Sequence, residues 1–201
     1  MRDSPHFDVA IVGFGPSGAV LANLLGQAGV SVVVLEKESG IYPTPRAIHF
    51  DGEVMRVFQS AGLLHEVLAL ARPGTQGMHF VNAQGQTMMI RRGSEHPGPH
   101  GFSNSYYFHQ PELEAVLRRG ARRFSNVDIL LQREVVEVVD SSSCATLTVR
   151  HVVDDTLQTI RADFVIGSDG ARSLVRKTIG AAMIDLGLHQ PWLVFDVILK
   201  K

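Results

Sequence analysis

Cysteine is almost missing from this chain. One residue in 201, Cys144, excludes an internal disulfide and a cysteine-built metal cluster, and it fits a reducing cytosol. An excess of either charge is missing too. Nineteen basic and 20 acidic residues leave a net charge of −1, so no bulk field draws the chain to nucleic acid or to an anionic membrane surface. No unbroken apolar run reaches membrane length. The most apolar span, 8–35, is interrupted by Gly13, Gly15, Pro16, Gly18, Asn23, Gln27 and Gly29, so it reads as separate buried elements. The opening Met1-Arg2-Asp3-Ser4-Pro5-His6 has no apolar core with a small-residue cleavage site, so no signal peptide and a cytoplasmic location are expected. Hydrophobic residues at 45% and charged residues at 19% suit a folded globular protein. The length allows one sizeable core and a second, smaller lobe.

What is present is concentrated near the start. Residues 7–12 read as a buried parallel strand, apolar except for Asp8, and run into Gly13-Phe14-Gly15-Pro16-Ser17-Gly18. A helical pattern follows at once, with Val20, Leu21, Leu24 and Leu25 spaced on one face and Gly29 to end it. In a G-x-G-x-x-G turn the first glycine lets the chain leave the strand tightly. The second lets backbone approach a pyrophosphate, and the third lets the helix pack on the strand. The second strand, Ser31–Leu35, leads to Glu36, 18 residues after Gly18, near the distance at which a carboxylate accepts bonds from a ribose. The pattern predicts a site for the adenosine half of a dinucleotide. On this loop alone, NAD and FAD are equally good readings.

Further along, 37–50 is a long loop holding Pro43, Pro45, Arg46 and Ala47, and loops of this length are more often functional than idle. Asp51 is a candidate N-cap for a helix with Val54, Val57, Phe58 and Ala61 inward, and Leu64, Val67, Leu68 and Ala71 repeat the pattern. A hairpin is expected from Met78–Val81 and Thr87–Ile90 around Asn82-Ala83-Gln84-Gly85-Gln86. His96, His100 and His109 lack the spacing of a helix-borne metal site, so no metal ligand is assigned. Gln110 and Pro111 open a helix with Leu113, Val116, Leu117, Ala121 and Phe124 inward. Arg118, Arg119, Arg122 and Arg123 read as its solvated face. After a short strand at Val127–Leu131 come three meander strands, Glu134–Val139, Ala145–Val152 and Thr156–Arg161. A further buried strand, Phe164–Ile166, ends in Gly167-Ser168-Asp169-Gly170-Ala171-Arg172-Ser173 before a short helix that stops at Gly180. An acid at a strand's carboxyl end is where such a sheet meets its ligand. A last strand is expected at Trp192–Leu199.

Taken together, Gly13-x-Gly15-Pro16-Ser17-Gly18, Glu36-Lys37, Pro45-Arg46-Ala47, Gln110 and Asp169-Gly170-Ala171-Arg172-Ser173-x-x-Arg176 resemble the FAD-dependent aromatic hydroxylases. These are the single-component flavoprotein monooxygenases that include para-hydroxybenzoate hydroxylase and phenol hydroxylase. Arg46-Ala47-Ile48-His49-Phe50-Asp51-Gly52-Glu53 and Gln59-Ser60-Ala61-Gly62-Leu63 look most like the 3-(3-hydroxyphenyl)propionate hydroxylase branch. The resemblance implies an α/β fold of the Rossmann-like, glutathione-reductase type, in three layers with a β-meander and the start of a β-rich substrate lobe. It implies that 1–75 and 101–182 form the FAD-binding domain, with 76–100 and 183–201 as segments of the substrate lobe.

The same resemblance assigns residues. Gly13, Gly15, Pro16, Ser17 and Gly18 would cradle the FAD pyrophosphate, Glu36 would hold the adenosine ribose, and Lys37 would lie beside the adenine. Arg46 and Gln110 would reach the ribityl and pyrophosphate region. Asp169 and Gly170 would belong to a motif associated with both FAD and the nicotinamide cofactor, its geometry fixed by Ser173 and Arg176. Ala171 departs from the polar residue many members carry there. No catalytic residue is assigned, and His49 reads as a structural residue near the flavin edge. The implied reaction uses NADH or NADPH to reduce FAD, takes up O2 as a flavin C4a-hydroperoxide and hydroxylates a small phenolic ring. The alternatives are a halogenase or prenyl reductase of the same superfamily, or a non-catalytic FAD-binding module. The lone tryptophan, Trp192, weighs against the halogenase motif. The family's second FAD motif is not found, so the sequence reads as the N-terminal part of a longer enzyme. The 201-residue piece is expected to be inactive alone, and homo-oligomerisation is left open for a full-length form.

Overall fold

The computed structural model describes residues 4–93, 96–191 and 193. Strand β1 (His6–Val12), helix α1 (Pro16–Gln27) and strand β2 (Val32–Glu36) form the expected βαβ unit. The two strands pair in parallel from Val9↔Val32 to Val12↔Leu35. Next come β3 (His49–Phe50), α2 (Gly52–Ser60), α3 (Leu64–Leu70) and β4 (Arg72–Pro73). The hairpin β5 (Met78–Val81) and β6 (Thr87–Arg91) follows, then β7 (Tyr106–Tyr107) and α4 (Gln110–Ala121). The remaining elements are β8 (Val127–Leu131), β9 (Arg133–Asp140), β10 (Ala145–His151), β11 (Leu157–Gly167) and α5 (Leu174–Thr178).

Six strands form one sheet in the order β8-β2-β1-β11-β10-β9. The first four run parallel, and β11, β10 and β9 form the antiparallel meander. Alternation along the central strands divides their side chains between two cores. Val9, Ile11, Val32 and Val34 meet Ala19, Ala22, Met55, Phe58, Leu113 and Leu117 from the helices. Ala10, Val12, Val33 and Leu35 meet Val135, Leu147, Val149, Ile160 and Ala162 from the meander. Helices, parallel strands and meander are the three layers expected of this fold class.

Buried Asn23 seats α4. Its side-chain amide donates to the carbonyls of Ala19 and Leu117, each at 2.8 Å, tying α1 to α4 across the core. The contact is close because Gly120 on α4 faces it: a Cβ there would collide with the Asn23 Oδ1.

Four local expectations change. β11 is one strand of 11 residues, where two had been expected, because nothing in Arg161-Ala162-Asp163 breaks it. It serves as both the third meander strand and the parallel partner of β1. Its end is not buried, since Phe164 is 69% exposed. On α2, Gly52, Met55 and Phe58 are the buried residues and Val54 is exposed; Leu68 on α3 is exposed too. Asp51 does cap α2, its Oδ1 accepting from the Val54 amide at 3.0 Å, which sets the helix phase. A small sheet, β3-β7-β4, had no expectation because two-residue strands carry no period. The strand expected at Trp192–Leu199 lies outside the described residues, Leu193 apart.

The turn between β10 and β11 makes a local prediction. The Thr156 hydroxyl and amide donate to the Asp154 Oδ1 at 2.7 and 3.1 Å, and the His151 ring lies 2.7 Å from it. These contacts, led by Thr156, hold the Asp154 carboxyl down from its ordinary 3.8 to about 2. A depressed carboxylate stabilises the fold above its unfolded value and loses that contribution as pH falls through the folded one. Carbon-13 carboxyl titration should therefore give a midpoint near 2 for Asp154. Thr156→Ala should raise that midpoint.

Candidate cofactor site

The glycine loop leaves β1 as its sequence demands. Gly13 takes φ +99°, and a Cβ there would collide with the Ser168 carbonyl and lie 3.1 Å from the Asp169 Cα. A Cβ on Gly18 would collide with the Gly13 carbonyl oxygen, so the start of α1 packs directly on the turn. Gly15 is different. It occupies the N-cap of α1 with φ −70° and ψ −173°, a conformation open to any residue. Nothing lies within 4 Å of where its Cβ would be. No side chain caps α1, and its first turn holds no acid. The helix thus presents free N–H groups and its positive end to the open space beside Gly15, the arrangement that holds a phosphate.

Glu36 ends β2 at the edge of this space and is buried. Its Oε2 accepts from the Phe14 amide at 2.7 Å and its Oε1 from the Glu38 amide at 2.9 Å. These bonds lock the carboxylate against the loop and leave a further lone pair on each oxygen. Lys37, next along, is exposed.

Gln110 acts through backbone. Its Oε1 accepts from the amides of Arg46 and Ala47 at 2.7 and 2.8 Å, and its Nε2 donates to Glu114 Oε1 at 2.8 Å. One N–H remains for a ligand. The Arg46 side chain is exposed and lies over the Tyr42 ring at 5.2 Å.

Two residues beyond the expected set continue this arrangement. Glu114 is 2% exposed and pairs with Arg118, itself 5% exposed, at 3.5 Å. Arg118 donates to the Gly40 carbonyl at 3.2 Å and lies over the Phe14 ring at 4.8 Å. Burial lowers its pKa, opposed by Glu114 and then Glu36. Gln110, Glu114 and Arg118 therefore form a polar stripe down one face of α4, touching the 40–47 loop and the glycine loop. The expected solvated arginine face is corrected at Arg118; Arg119, Arg122 and Arg123 are exposed. Arg123 is also engaged, donating to the carbonyls of Ala61 at 3.0 Å and Gly120 at 2.9 Å. The signal for the stripe was available: positions i, i+4 and i+8 from Gln110 share one helical face.

The second motif closes the site. The Ser168 amide donates to the Val12 carbonyl at 2.7 Å, which sets the Asp169 turn beside the glycine loop. Asp169 Oδ2 accepts from the amides of Leu174 and Val175, at 2.6 and 3.3 Å. Its Oδ1 is buried and has no partner. A buried carboxylate oxygen without a protein partner is costly to the fold. Gly170 follows at φ +75°. Ser173 Oγ caps α5 through the Arg176 amide at 2.9 Å, and the Arg176 guanidinium holds the Ala171 carbonyl at 2.9 Å. That pair fixes the turn's shape. His49 lies on β3 with its ring edge-on to Tyr107 at 6.0 Å, and burial followed by the Arg91 charge lowers its pKa against Asp51.

An uncapped helix end over open space and a fixed carboxylate 18 residues after Gly18 fit a dinucleotide. Comparisons with known proteins agree. A probable NADH-specific resorcinol 4-hydroxylase of Rhodococcus jostii (strain RHA1) is 38% identical over 198 residues, covering 96% of this chain and 36% of that protein. A 3-(3-hydroxy-phenyl)propionate/3-hydroxycinnamic acid hydroxylase of Comamonas testosteroni is 38% identical over 190 residues, covering 94% and 32%. The chain thus spans about a third of the length of these relatives. Among solved structures, p-nitrophenol 4-monooxygenase from Pseudomonas putida DLL-E4 superposes with a TM-score of 0.76 at 27% identity, over 89% of this chain and 44% of that one. The flavin-dependent monooxygenase PieE, solved with FAD and substrate, gives 0.77 at 25% identity, over 88% and 33%. Residues 6–201 match the family model described as FAD binding domain, and the chain belongs to that family.

Proposed function

We propose that this chain is the FAD-binding part of a monooxygenase that hydroxylates a small phenolic ring, using NADH or NADPH and O2. The observation that carries the reading is the uncapped, acid-free start of α1 at Gly15, with no protein atom within 4 Å of where a Gly15 Cβ would lie. Relatives named as hydroxylases of resorcinol and of hydroxyphenylpropionate support the reaction class.

Once bound and reduced, FAD supplies the oxygen-activating chemistry, which belongs to the cofactor. The chain's residues bind and orient it. The free amides of α1 and the Gly13–Gly18 loop take the pyrophosphate, and Glu36, with Lys37 beside the adenine, takes the adenosine ribose. Arg46, whose backbone Gln110 fixes, would reach toward the middle of the cofactor, and Asp169 would accept a hydrogen bond from a hydroxyl there. Gly170 keeps the turn clear for close approach. On this reading 1–75 and 101–182 make up the FAD-binding unit, and 76–100 and 183–201 begin the substrate lobe.

The test is reconstitution with FAD of the protein that carries this chain, followed by NAD(P)H oxidation in the presence of phenols. Flavin absorbance and substrate-stimulated oxidation coupled to a hydroxylated product are expected. Absence of bound flavin, or oxidation with no hydroxylated product from any phenol, contradicts the proposal.

A further inference from the structure

A small cleft between the hairpin and the β3–β7 pair is unused by the cofactor reading. His49, Arg91, Arg92, Asn104, Ser105 and Tyr107 line it, with Gly77, Met78 and Gly93. Its cavity measures about 40 Å3, and since a water needs roughly 10–15 Å3 on this measure, it holds about three oxygen-sized atoms. That is room for an oxyanion head group and too little for an aromatic ring. Its walls are backbone: a Cβ on Gly93 would collide with the Gly74 carbonyl, and one on Gly77 with the Arg91 carbonyl.

The lining is cationic. Neither Arg91 nor Arg92 forms an ion pair among the described residues. The charge of Arg91 reaches the His49 ring. Asp51, the acid that faces His49, is engaged in capping α2. A cleft of this size with Arg91 and Arg92 in its lining, neither of them in an ion pair among the described residues, is suited to a planar or tetrahedral oxyanion.

We propose that this cleft is an oxyanion subsite, filled by the carboxylate of a small aromatic acid or by a phosphate of the nicotinamide coenzyme. The choice of those two sources rests on the proposed monooxygenase reaction; the subsite itself does not. His49 stands three residues past Arg46, so an anion seated here lies next to the loop that Gln110 fixes.

Proton NMR of the His49 ring in this chain tests the idea. Inorganic phosphate and 3-(3-hydroxyphenyl)propionate at millimolar concentration should shift the signal saturably and raise its titration midpoint, because an anion offsets Arg91. The matching alcohol, 3-(3-hydroxyphenyl)propanol, should not. Arg91→Gln or Arg92→Gln should weaken anion binding about tenfold by removing one charge-assisted bond. Tighter binding of the propionate than of NADH assigns the carboxylate source, and the reverse assigns the coenzyme. No saturable shift with any anion, or an unchanged response in both variants, overturns the subsite. Flavin binding, measured separately, tests the monooxygenase reading without touching this result.

Discussion

Gly15→Ala is expected to leave the fold standing while weakening FAD binding by about 100-fold, a loss of about 2.7 kcal/mol. The φ and ψ of Gly15 suit alanine, and its Cβ would meet no protein atom within 4 Å. Replacing glycine by alanine at an N-cap costs about 0.5–1 kcal/mol, and the stiffer unfolded chain returns about as much. The melting temperature should move by no more than about 2 °C. The new methyl instead fills the space where pyrophosphate oxygens approach the first N–H groups of α1. Gly18→Ala should behave in the opposite way. Its Cβ collides with a backbone carbonyl that no rotamer change can move. Overpacking of that kind costs about 2–3 kcal/mol, and the melting temperature should fall by roughly 5–10 °C. Thermal melts beside flavin-fluorescence titrations separate the two outcomes. Equal destabilisation by both substitutions would mean that Gly15 is a packing residue, with no cradle above it.

Glu114→Ala should be among the most damaging single substitutions outside the glycine loop. It removes the acid paired with Arg118 and the acceptor of the Gln110 amide, both within the core. Breaking one side of a buried pair leaves an uncompensated charge and costs about 3–5 kcal/mol, or roughly 10 °C in melting temperature. A double variant, Glu114→Leu with Arg118→Met, removes both charges and should recover much of that stability. It should not recover flavin affinity, because Gln110 loses its orienting partner and its grip on the Arg46 and Ala47 amides loosens. Recovery of full affinity with stability would show that the stripe serves packing alone.

How far the molecule was legible in its sequence follows from the range of each signal. The strand–loop–helix unit, Glu36 and the Asp169 turn were readable because each depends on glycine or an acid at a fixed local distance. The hairpin was readable for the same reason: Asn82 caps its own turn, accepting from the Gln84 and Gln86 amides at 3.0 and 2.9 Å. The α4 stripe was missed because charge run and helix dipole both argue for solvent. Its burial is set by a loop 78 residues upstream, whose Gly40 carbonyl accepts from Arg118. The continuity of β11 was missed because alternation alone does not show that one strand serves two pairings.

The most direct test is a nitrogen-15 correlation spectrum of this chain titrated with FAD. The account predicts saturable shifts concentrated at the Gly13–Gly18 amides, at Phe14 and Glu38 on either side of the Glu36 carboxylate, and at Leu174 and Val175 beside Asp169. Saturable FAD binding that leaves these amides unmoved, and shifts others instead, would contradict it.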